Sequence, residues 1–116
     1  MSELTQNDEV QYVVFSLGGE EFGIDIMRVR EIKKLPRVTS IPNATAYIEG
    51  VINLRGEVLP VLDLRTRFGL PRQEATEQSR VIIVELEAGK VGLVVDGVTE
   101  VLRTETDALQ DTPELL

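Results

Sequence analysis

Residues 51–64 read VINLRGEVLPVLDL, and this stretch decides the fold. Val, Ile and Leu dominate positions 51–54 and 58–64, and Arg55, Gly56 and Glu57 separate the two runs. Two short apolar runs joined by three residues that include a glycine are typical of a β-hairpin. Because both runs are nearly continuous in apolar residues, we expect both faces of this hairpin to be covered.

Two further hairpins are predicted on either side of this one. Residues 10–17 (VQYVVFSL) and 20–25 (EEFGID) flank Gly18-Gly19, which suits a tight glycine turn. Residues 80–102 predict a third hairpin that turns at Ala88-Gly89. Six or seven short strands with regular turn signals favour a β-barrel or a sandwich. A parallel βαβ architecture is disfavoured because no long helix separates the strands.

Short helices are expected between the hairpins. In residues 26–34 (IMRVREIKK), Ile26, Val29 and Ile32 are three residues apart, which predicts about two turns of helix ended by Pro36. The remaining segments are predicted from similar signals and are a flexible N-terminus (1–9), a strand kinked at Pro42 (37–42), a helical turn capped by Asn43 and ended by Gly50 (43–50), one helical turn closed by Gly69 and Pro71 (65–71), a polar loop (72–79) and a C-terminal stretch without an apolar stripe (104–116).

Composition excludes several classes of function. The 116 residues include 12 Lys and Arg, 20 Asp and Glu, and neither Cys nor His, so the net charge is −8. Disulfides, thiolate or histidine metal sites and Ser–His or Cys–His catalysis are therefore ruled out. An acidic chain with five aromatic residues is a poor nucleic-acid binder. No apolar run is long enough for direct membrane insertion, and the polar start is unlike a signal peptide, so we expect a cytoplasmic protein without a cofactor.

Three blocks of sequence carry a resemblance to a known family. They are FGIDI (22–26) followed by Val29, Glu31 and Ile32, then YIEGVINLRG (47–56) running into VLPVLDL (58–64), and GLVVDGV (92–98). From about residue 10 to residue 116 the chain resembles the CheW-like domain family of bacterial chemotaxis coupling proteins. The resemblance implies an all-β fold with short helices, in which two SH3-like β-barrel subdomains pack side by side.

The C-terminal part departs from the family pattern. Family members usually continue past this point with a further Gly-Val segment and another strand, whereas this sequence ends at Leu116. The resemblance therefore implies that one barrel is incomplete at the C-terminus. An unpaired strand edge favours strand addition, so a strand-swapped homo-oligomer is a possible outcome.

The resemblance also implies a function and its residues. Family members are non-catalytic adaptors that couple the cytoplasmic tips of methyl-accepting chemoreceptors to the regulatory domain of the histidine kinase CheA, at membrane receptor arrays. The positions that match receptor contacts are Val29, Ile32, Arg55, Gly56, Val81 and Val101. Those that match kinase contacts are Glu31, Val38 and Arg55, and the expected structural turn residues are Gly50, Gly56, Asp96 and Gly97.

Purely structural explanations and other functions stay open for these residues. Arg55 is also explained as a solvated turn arginine, and each of the valines as part of a β-barrel core. The chain could belong to a chemosensory pathway that controls something other than swimming. A carboxylate hydrolase built around Asp96 is disfavoured, because Asp96-Gly97 lacks the spacing of an aspartic protease turn. A generic SH3-like peptide binder is disfavoured by the scarcity of aromatic residues.

Overall fold

The structure is a computed structural model that describes residues 9–42, 48–71, 73–105 and 114–115. Strands account for most of these residues, so the predicted all-β fold with short helices is confirmed. A 3₁₀ turn (Ile26–Arg28) and a short helix, α1 (Leu64–Arg67), are the helical elements described. The strands are β1 (Glu9–Leu17), β2 (Glu20–Asp25), β3 (Val29–Lys34), β4 (Ile48–Leu54), β5 (Glu57–Asp63), β6 (Arg80–Leu86), β7 (Gly89–Val95), β8 (Gly97–Glu105) and β9 (Glu114–Leu115).

The strands form two sheets, in agreement with the two subdomains that the resemblance implies. The first sheet has the order β8-β1-β2-β9 and the second the order β3-β6-β7-β5-β4. The three predicted hairpins are present as β1–β2, β4–β5 and β6–β7, although the last turns at Glu87-Ala88, one residue earlier than predicted. Each sheet also contains one parallel pair, β2 with β9 and β5 with β7. The prediction that one barrel is incomplete concerns strands that family members carry beyond the position of Leu116, and it stays a prediction.

Two apolar cores explain why the strands are so continuously apolar. The inter-sheet core lies between the sheets and includes Phe15 from β1 and Ile82 from β6. The barrel core lies on the opposite face of the second sheet and includes Val61 from β5 and Val81 from β6. Neighbouring residues of β6 therefore enter different cores, since successive side chains of a strand point to opposite faces.

The chain that follows β3 closes the second sheet against the outer strand on its other side, β4. After β3 the chain crosses towards β4, and Thr39 and Val51 exchange two backbone hydrogen bonds of 2.9 Å. The predicted strand over 37–42 is therefore wrong, since the described chain forms one isolated bridge there. Gly50 lies within β4 at an irregularity of the ladder and not at a helix end, while residues 43–47 of the predicted helical turn lie outside the described residues.

The predicted helix over 26–34 is also wrong. After the short 3₁₀ turn the chain forms β3, which has a bulge between Val29 and Glu31. Val29 and Ile32 lie opposite Val84 and Ile82, so both are on the face of the second sheet that carries the inter-sheet core. The extra residue of a bulge produces a three-residue spacing on one face of a strand, and this spacing imitates that of a helix.

A charged contact ties the two sheets together. Arg65 of α1 donates hydrogen bonds of 3.0 Å from Nε and Nη2 to the two carboxylate oxygens of Asp96, at the corner between β7 and β8. The N–H of Gly18 in the β1–β2 turn also donates to Asp96, at 2.9 Å. Both of these partners of Asp96 are distant from it in sequence. Burial alone raises the pKa of Asp96, and the hydrogen bonds from Arg65 and Gly18 outweigh it and lower that pKa below its ordinary value.

The Asp96→Asn variant is expected to lose about 1–3 kcal/mol of unfolding free energy at neutral pH, because a partly buried charge-assisted contact is lost. Because the pKa of Asp96 is lower in the folded state than in the unfolded chain, its carboxylate stabilises the fold at pH values above the ordinary pKa, near 3.8. This stabilisation is lost as the pH falls through the pKa of the folded state. Urea unfolding at pH about 7 and about 3 measures the loss of unfolding free energy and its dependence on pH. The exposed Glu87→Gln is the matched control, and an equal deficit of Asp96→Asn at both pH values would contradict this account.

Candidate protein-interaction site

β3 presents different chemistry on its two faces. Val29 is half-buried and packs against the inter-sheet core, whereas Ile32 on the same face is 37% exposed. Glu31 lies on the other face, opposite Ile83 of the barrel core. Since β3 is an outer strand of the second sheet, side chains on both of its faces reach the surface.

The tip of the β4–β5 hairpin carries an arginine that reaches across to β3. Arg55 Nη1 lies 3.0 Å from Glu31 Oε2, and Arg55 Nη2 lies 3.2 Å from Glu31 Oε1, so the guanidinium and the carboxylate form a two-pronged ion pair. The hairpin tip is held by the Gly56 N–H, which donates to Asn53 Oδ1 at 2.9 Å. Arg55 has a φ of 51°, an angle that non-glycine residues seldom adopt, and this conformation is part of how the tip is built.

Both groups of this ion pair are charged at neutral pH. The hydrogen bond from Arg55 lowers the pKa of Glu31, and the same bond raises the pKa of Arg55. The Arg55 side chain is 70% exposed and that of Glu31 is 29% exposed. Exposed ion pairs contribute little to folding stability, so this one adds little to the stability of the fold.

Two further ion pairs surround the first. Lys90 of β7 lies 3.2 Å from Glu57 of β5, and Arg30 of β3 pairs with Glu85 of β6. Together the three pairs form a charged rim at the end of the second sheet where its hairpins turn. The rim therefore offers fixed charges of both signs to a partner.

Comparison with known proteins identifies the family. The CheW-like domain family matches residues 11–115 of this chain. The chain belongs to the CheW-like domain family. A protein of Rhizobium etli named "Probable chemotaxis protein CheW" is 38% identical over 115 residues, which is 99% of this chain and 74% of that protein. The "Chemotaxis protein CheW" of Klebsiella aerogenes is 40% identical over 104 residues, which is 90% of this chain and 63% of that protein.

A solved structure of the same family supports the fold. The crystal structure of the scaffolding protein TtCheW from Thermoanaerobacter tengcongensis superposes with a TM-score of 0.81 at 44% identity, over 85% of this chain and 68% of that one. This CheW-like chain thus spans between 63% and 74% of the length of the three proteins compared.

The structure separates the predicted contact residues of the CheW-like domain into surface and core positions. Val81 is completely buried in the barrel core, so its predicted receptor contact is not available and we correct it to a packing role. Val38 is half-buried against the same core. The backbone of Val101 pairs with Val13 in the first sheet, and its side chain lies outside the described part.

The predicted turn residues also fall into different settings. Gly56 is exposed at the hairpin tip with a φ of 87°, where a glycine suits the left-handed backbone. Asp96 forms a bend and Gly97 begins β8. Gly50 lies close to the carbonyl of Thr39, at the bridge that closes the second sheet.

The hydrolase hypothesis gains no support from Asp96. A catalytic carboxylate pair shares a proton, and this raises the pKa of one member. Here both oxygens of Asp96 bind Arg65, and its pKa is lowered. Within the part of the chain that is described, no cluster of three Asp or Glu residues is suited to a metal ion, and none of the helices has the length and hydropathy needed to cross a bilayer.

Sequence reasoning missed some members of the rim. Lys90 and Glu57 meet because β5 and β7 lie side by side in parallel, a non-local pairing with no short sequence signal. Val58, near the hairpin tip, is 63% exposed although it stands in an apolar run. The charged residue Glu57 next to it was the sequence signal that the first residues of this run lie outside the core.

Proposed function

We propose that this chain is a chemotaxis adaptor that holds the cytoplasmic tip of a chemoreceptor and the regulatory domain of the histidine kinase CheA at the same time, in the cytoplasm at membrane receptor arrays. It performs no chemistry of its own. The observation that carries the proposal is the two-faced β3, which places Ile32 on one face and the Glu31–Arg55 ion pair on the other. Membership of the CheW-like domain family supports it.

The kinase contact is assigned to the face of Glu31. The carboxylate of Glu31 uses two guanidinium nitrogens of Arg55 and fixes the plane of that group. A guanidinium has five N–H donors, so others remain for a backbone carbonyl or a carboxylate of the kinase. Val38 supports this region from the barrel core.

The receptor contact is assigned to the face of Ile32. Its exposed side chain suits an apolar position of a helix that lies against the sheet, as in other helix-in-groove complexes. Val29 holds β3 in place by packing against the inter-sheet core. Arg55, Gly56 and Val101 stay as further predicted receptor contacts.

An adaptor with two separate contacts can pass a signal without catalysis. Each partner favours the conformations that it binds most tightly, and only this difference in binding free energy shifts the population of kinase states. The coupling acts in both directions, so receptor binding and kinase binding affect each other equally.

We expect Ile32→Asp to weaken binding of the receptor tip by about tenfold or more while the melting temperature stays near that of the wild type. Val29→Asp is expected to lower both binding and melting temperature, because it places a charge against the inter-sheet core. Calorimetric titration with a receptor-tip fragment, together with thermal unfolding, measures the two effects. Val58→Asp adds the same charge at an exposed valine away from β3, and a similar loss of binding for it and for Ile32→Asp would contradict the assignment.

The proposed function itself is tested by size-exclusion chromatography of the chain with a receptor-tip fragment and the CheA regulatory domain. We expect all three to elute together, and a mixture in which the chain elutes alone would contradict the proposal. Light scattering on the same sample tests the predicted strand-swapped homo-oligomer. Complementation of a strain that lacks its own coupling protein distinguishes swimming from another output.

A further inference from the structure

Positive charge is concentrated in one segment of an acidic protein. Residues 28–37 contain five cations and one carboxylate, so this segment carries +4 while the rest of the chain carries −12. The segment covers β3 and its two ends. Glu31 and Arg30 take part in the charged rim, but the other four cations do not, and they are Arg28, Lys33, Lys34 and Arg37.

Two of the cations in this region face each other directly. Lys34, at the end of β3, lies opposite Arg80 at the start of β6 in the antiparallel ladder. Like charges opposite one another on neighbouring strands destabilise a sheet. Among the described residues, no carboxylate forms an ion pair with either side chain. Within the described residues, this corner therefore holds two positive charges that no ion pair compensates.

Arg80 is held in place by a tight turn. Its Nη1 donates to the backbone carbonyls of Glu77 at 2.8 Å and of Ser79 at 2.7 Å. The turn is closed by the Ser79 N–H, which donates to the carbonyl of Thr76 at 3.1 Å, and by the Thr76 N–H, which donates to Ser79 Oγ at 2.8 Å. The guanidinium is thus oriented by neutral carbonyl oxygens, which do not balance its positive charge.

The two cations border an open groove that also offers hydrogen-bond donors. Lys34 and Arg80 line one concavity with Thr76 and Gln78, and Arg80 continues into an adjoining concavity beside Thr99 of β8. Two carboxylates lie near it. Glu77 lines the first concavity without pairing with either cation, and Asp96 in the second is already bound by Arg65.

We propose that Lys34 and Arg80 form a binding site for an acidic segment of a protein partner, in which two carboxylates of that segment neutralise the two cations. Ile32 lies two residues before Lys34 on the same face of β3, so an apolar side chain next to the carboxylates fits the exposed isoleucine. Charge complementarity favours an acidic protein segment over a nucleic acid, because the strongly negative remainder of the chain repels a long polyanion. The site lies on the face of β3 opposite to the Glu31–Arg55 ion pair.

The site selects partners by charge. Complementary charges speed association and disfavour partners of the wrong sign more than they add to affinity. Among proteins that pack a similar apolar residue on Ile32, the site preferentially binds those that carry carboxylates next to that residue. This selection deepens the proposed adaptor role if the acidic segment belongs to a receptor, but the site itself depends only on the geometry of Lys34 and Arg80.

The test uses a fluorescent peptide rich in Glu with a single Leu, and a peptide of equal length with Gln in place of every Glu. Fluorescence anisotropy at low and high salt measures binding to the whole chain. We expect the Glu peptide to bind and the Gln peptide to bind far more weakly. Lys34→Glu is expected to weaken binding of the Glu peptide by roughly tenfold and to remove most of its salt dependence.

Arg28→Glu is the matched control, since it makes the same change of charge at an exposed cation of the 3₁₀ turn, next to the other end of β3. It should retain most of the binding. Lys34→Gln and Arg80→Gln, which introduce no new charge, test the site should Lys34→Glu fail to fold.

Several results would overturn the proposal. Equal losses for Lys34→Glu and Arg28→Glu would mean a diffuse charge effect, and equal binding of the two peptides would mean that carboxylates are not recognised. Binding to vesicles of anionic lipid without binding to the Glu peptide would assign the site to a membrane surface. A salt-sensitive dimer that disappears in Lys34→Glu, again without peptide binding, would assign it to a second copy of the chain. Because co-elution with receptor and kinase is measured separately, failure here is distinguishable from failure of the adaptor role.

Discussion

The Arg55→Asp variant is expected to fold as the wild type does and to fail in forming the complex of receptor tip, adaptor and kinase domain. The side chain is largely exposed, so the fold loses little. The new carboxylate repels Glu31 and removes the oriented guanidinium from the hairpin tip. We expect kinase-domain binding to weaken by about ten- to a hundredfold, as measured by calorimetric titration, with unchanged thermal unfolding.

A charge swap separates two ways in which Arg55 could act. The double variant Glu31→Arg with Arg55→Glu restores an ion pair of reversed polarity. If only the position of the hairpin matters, this variant recovers most of the binding. Our account assigns a direct kinase contact to the guanidinium, so we expect little recovery, and full recovery would contradict that assignment. Lys90→Glu, which disturbs a neighbouring ion pair of the rim, is the control for general charge effects.

The Gly50→Ala variant is expected to be the most destabilising single substitution that we consider. A Cβ at Gly50 collides with the carbonyl oxygen of Thr39 and lies 3.0 Å from Cγ1 of Val38. That carbonyl cannot move away cheaply, because it accepts the Val51 N–H in the bridge that closes the second sheet. We expect a loss of about 3–5 kcal/mol of unfolding free energy, or no folded protein.

Gly56→Ala is the matched control for this substitution. Gly56 has a left-handed φ of 87°, but no atom lies within 4 Å of the position that a Cβ would occupy, so only the backbone cost of about 1 kcal/mol applies. Urea unfolding of both variants measures the difference. If Gly50→Ala were as stable as Gly56→Ala, the close approach of Thr39 to β4 would not be needed for the fold.

Most strands could be predicted from local sequence because turn residues and apolar runs coincide. The glycines at positions 18 and 19, and Arg55-Gly56 between two apolar runs, mark hairpins that the structure contains. The continuous apolar character of residues 51–54 and 58–64 predicted cover on both faces of β4 and β5. This holds in part for β5, since Val61 lies in the barrel core and Leu62 packs against the inter-sheet core, whereas the buried residues Ile52 and Leu54 of β4 both belong to the barrel core.

β3 shows where local reasoning is insufficient. The spacing of Ile26, Val29 and Ile32 fits a helix, and one bulge produces the same spacing in a strand. A bulge is fixed by pairing with β6, which lies about fifty residues away in sequence, so no window around residues 26–34 contains that information. Gly50 was misread for a related reason, since its role depends on the approach of Thr39.

The candidate site was predictable in part. Glu31 and Arg55 were singled out separately by resemblance to a family, but their contact requires the folded barrel. Val81 could not be separated from surface valines by sequence, because every residue of 81–84 is apolar and all four are buried. The partnership of Arg65 with Asp96 joins positions 31 residues apart and has no local signal.

The central claim, that β3 serves two partners from its two faces, is tested most directly by measuring the dissociation constants of Ile32→Asp and Glu31→Ala for each partner alone. The account predicts that Ile32→Asp binds the receptor tip at least about tenfold more weakly and the kinase domain normally, and that Glu31→Ala shows the reverse pattern. If either variant weakened both interactions equally, or if neither variant weakened any, the two-faced strand would not be the basis of coupling.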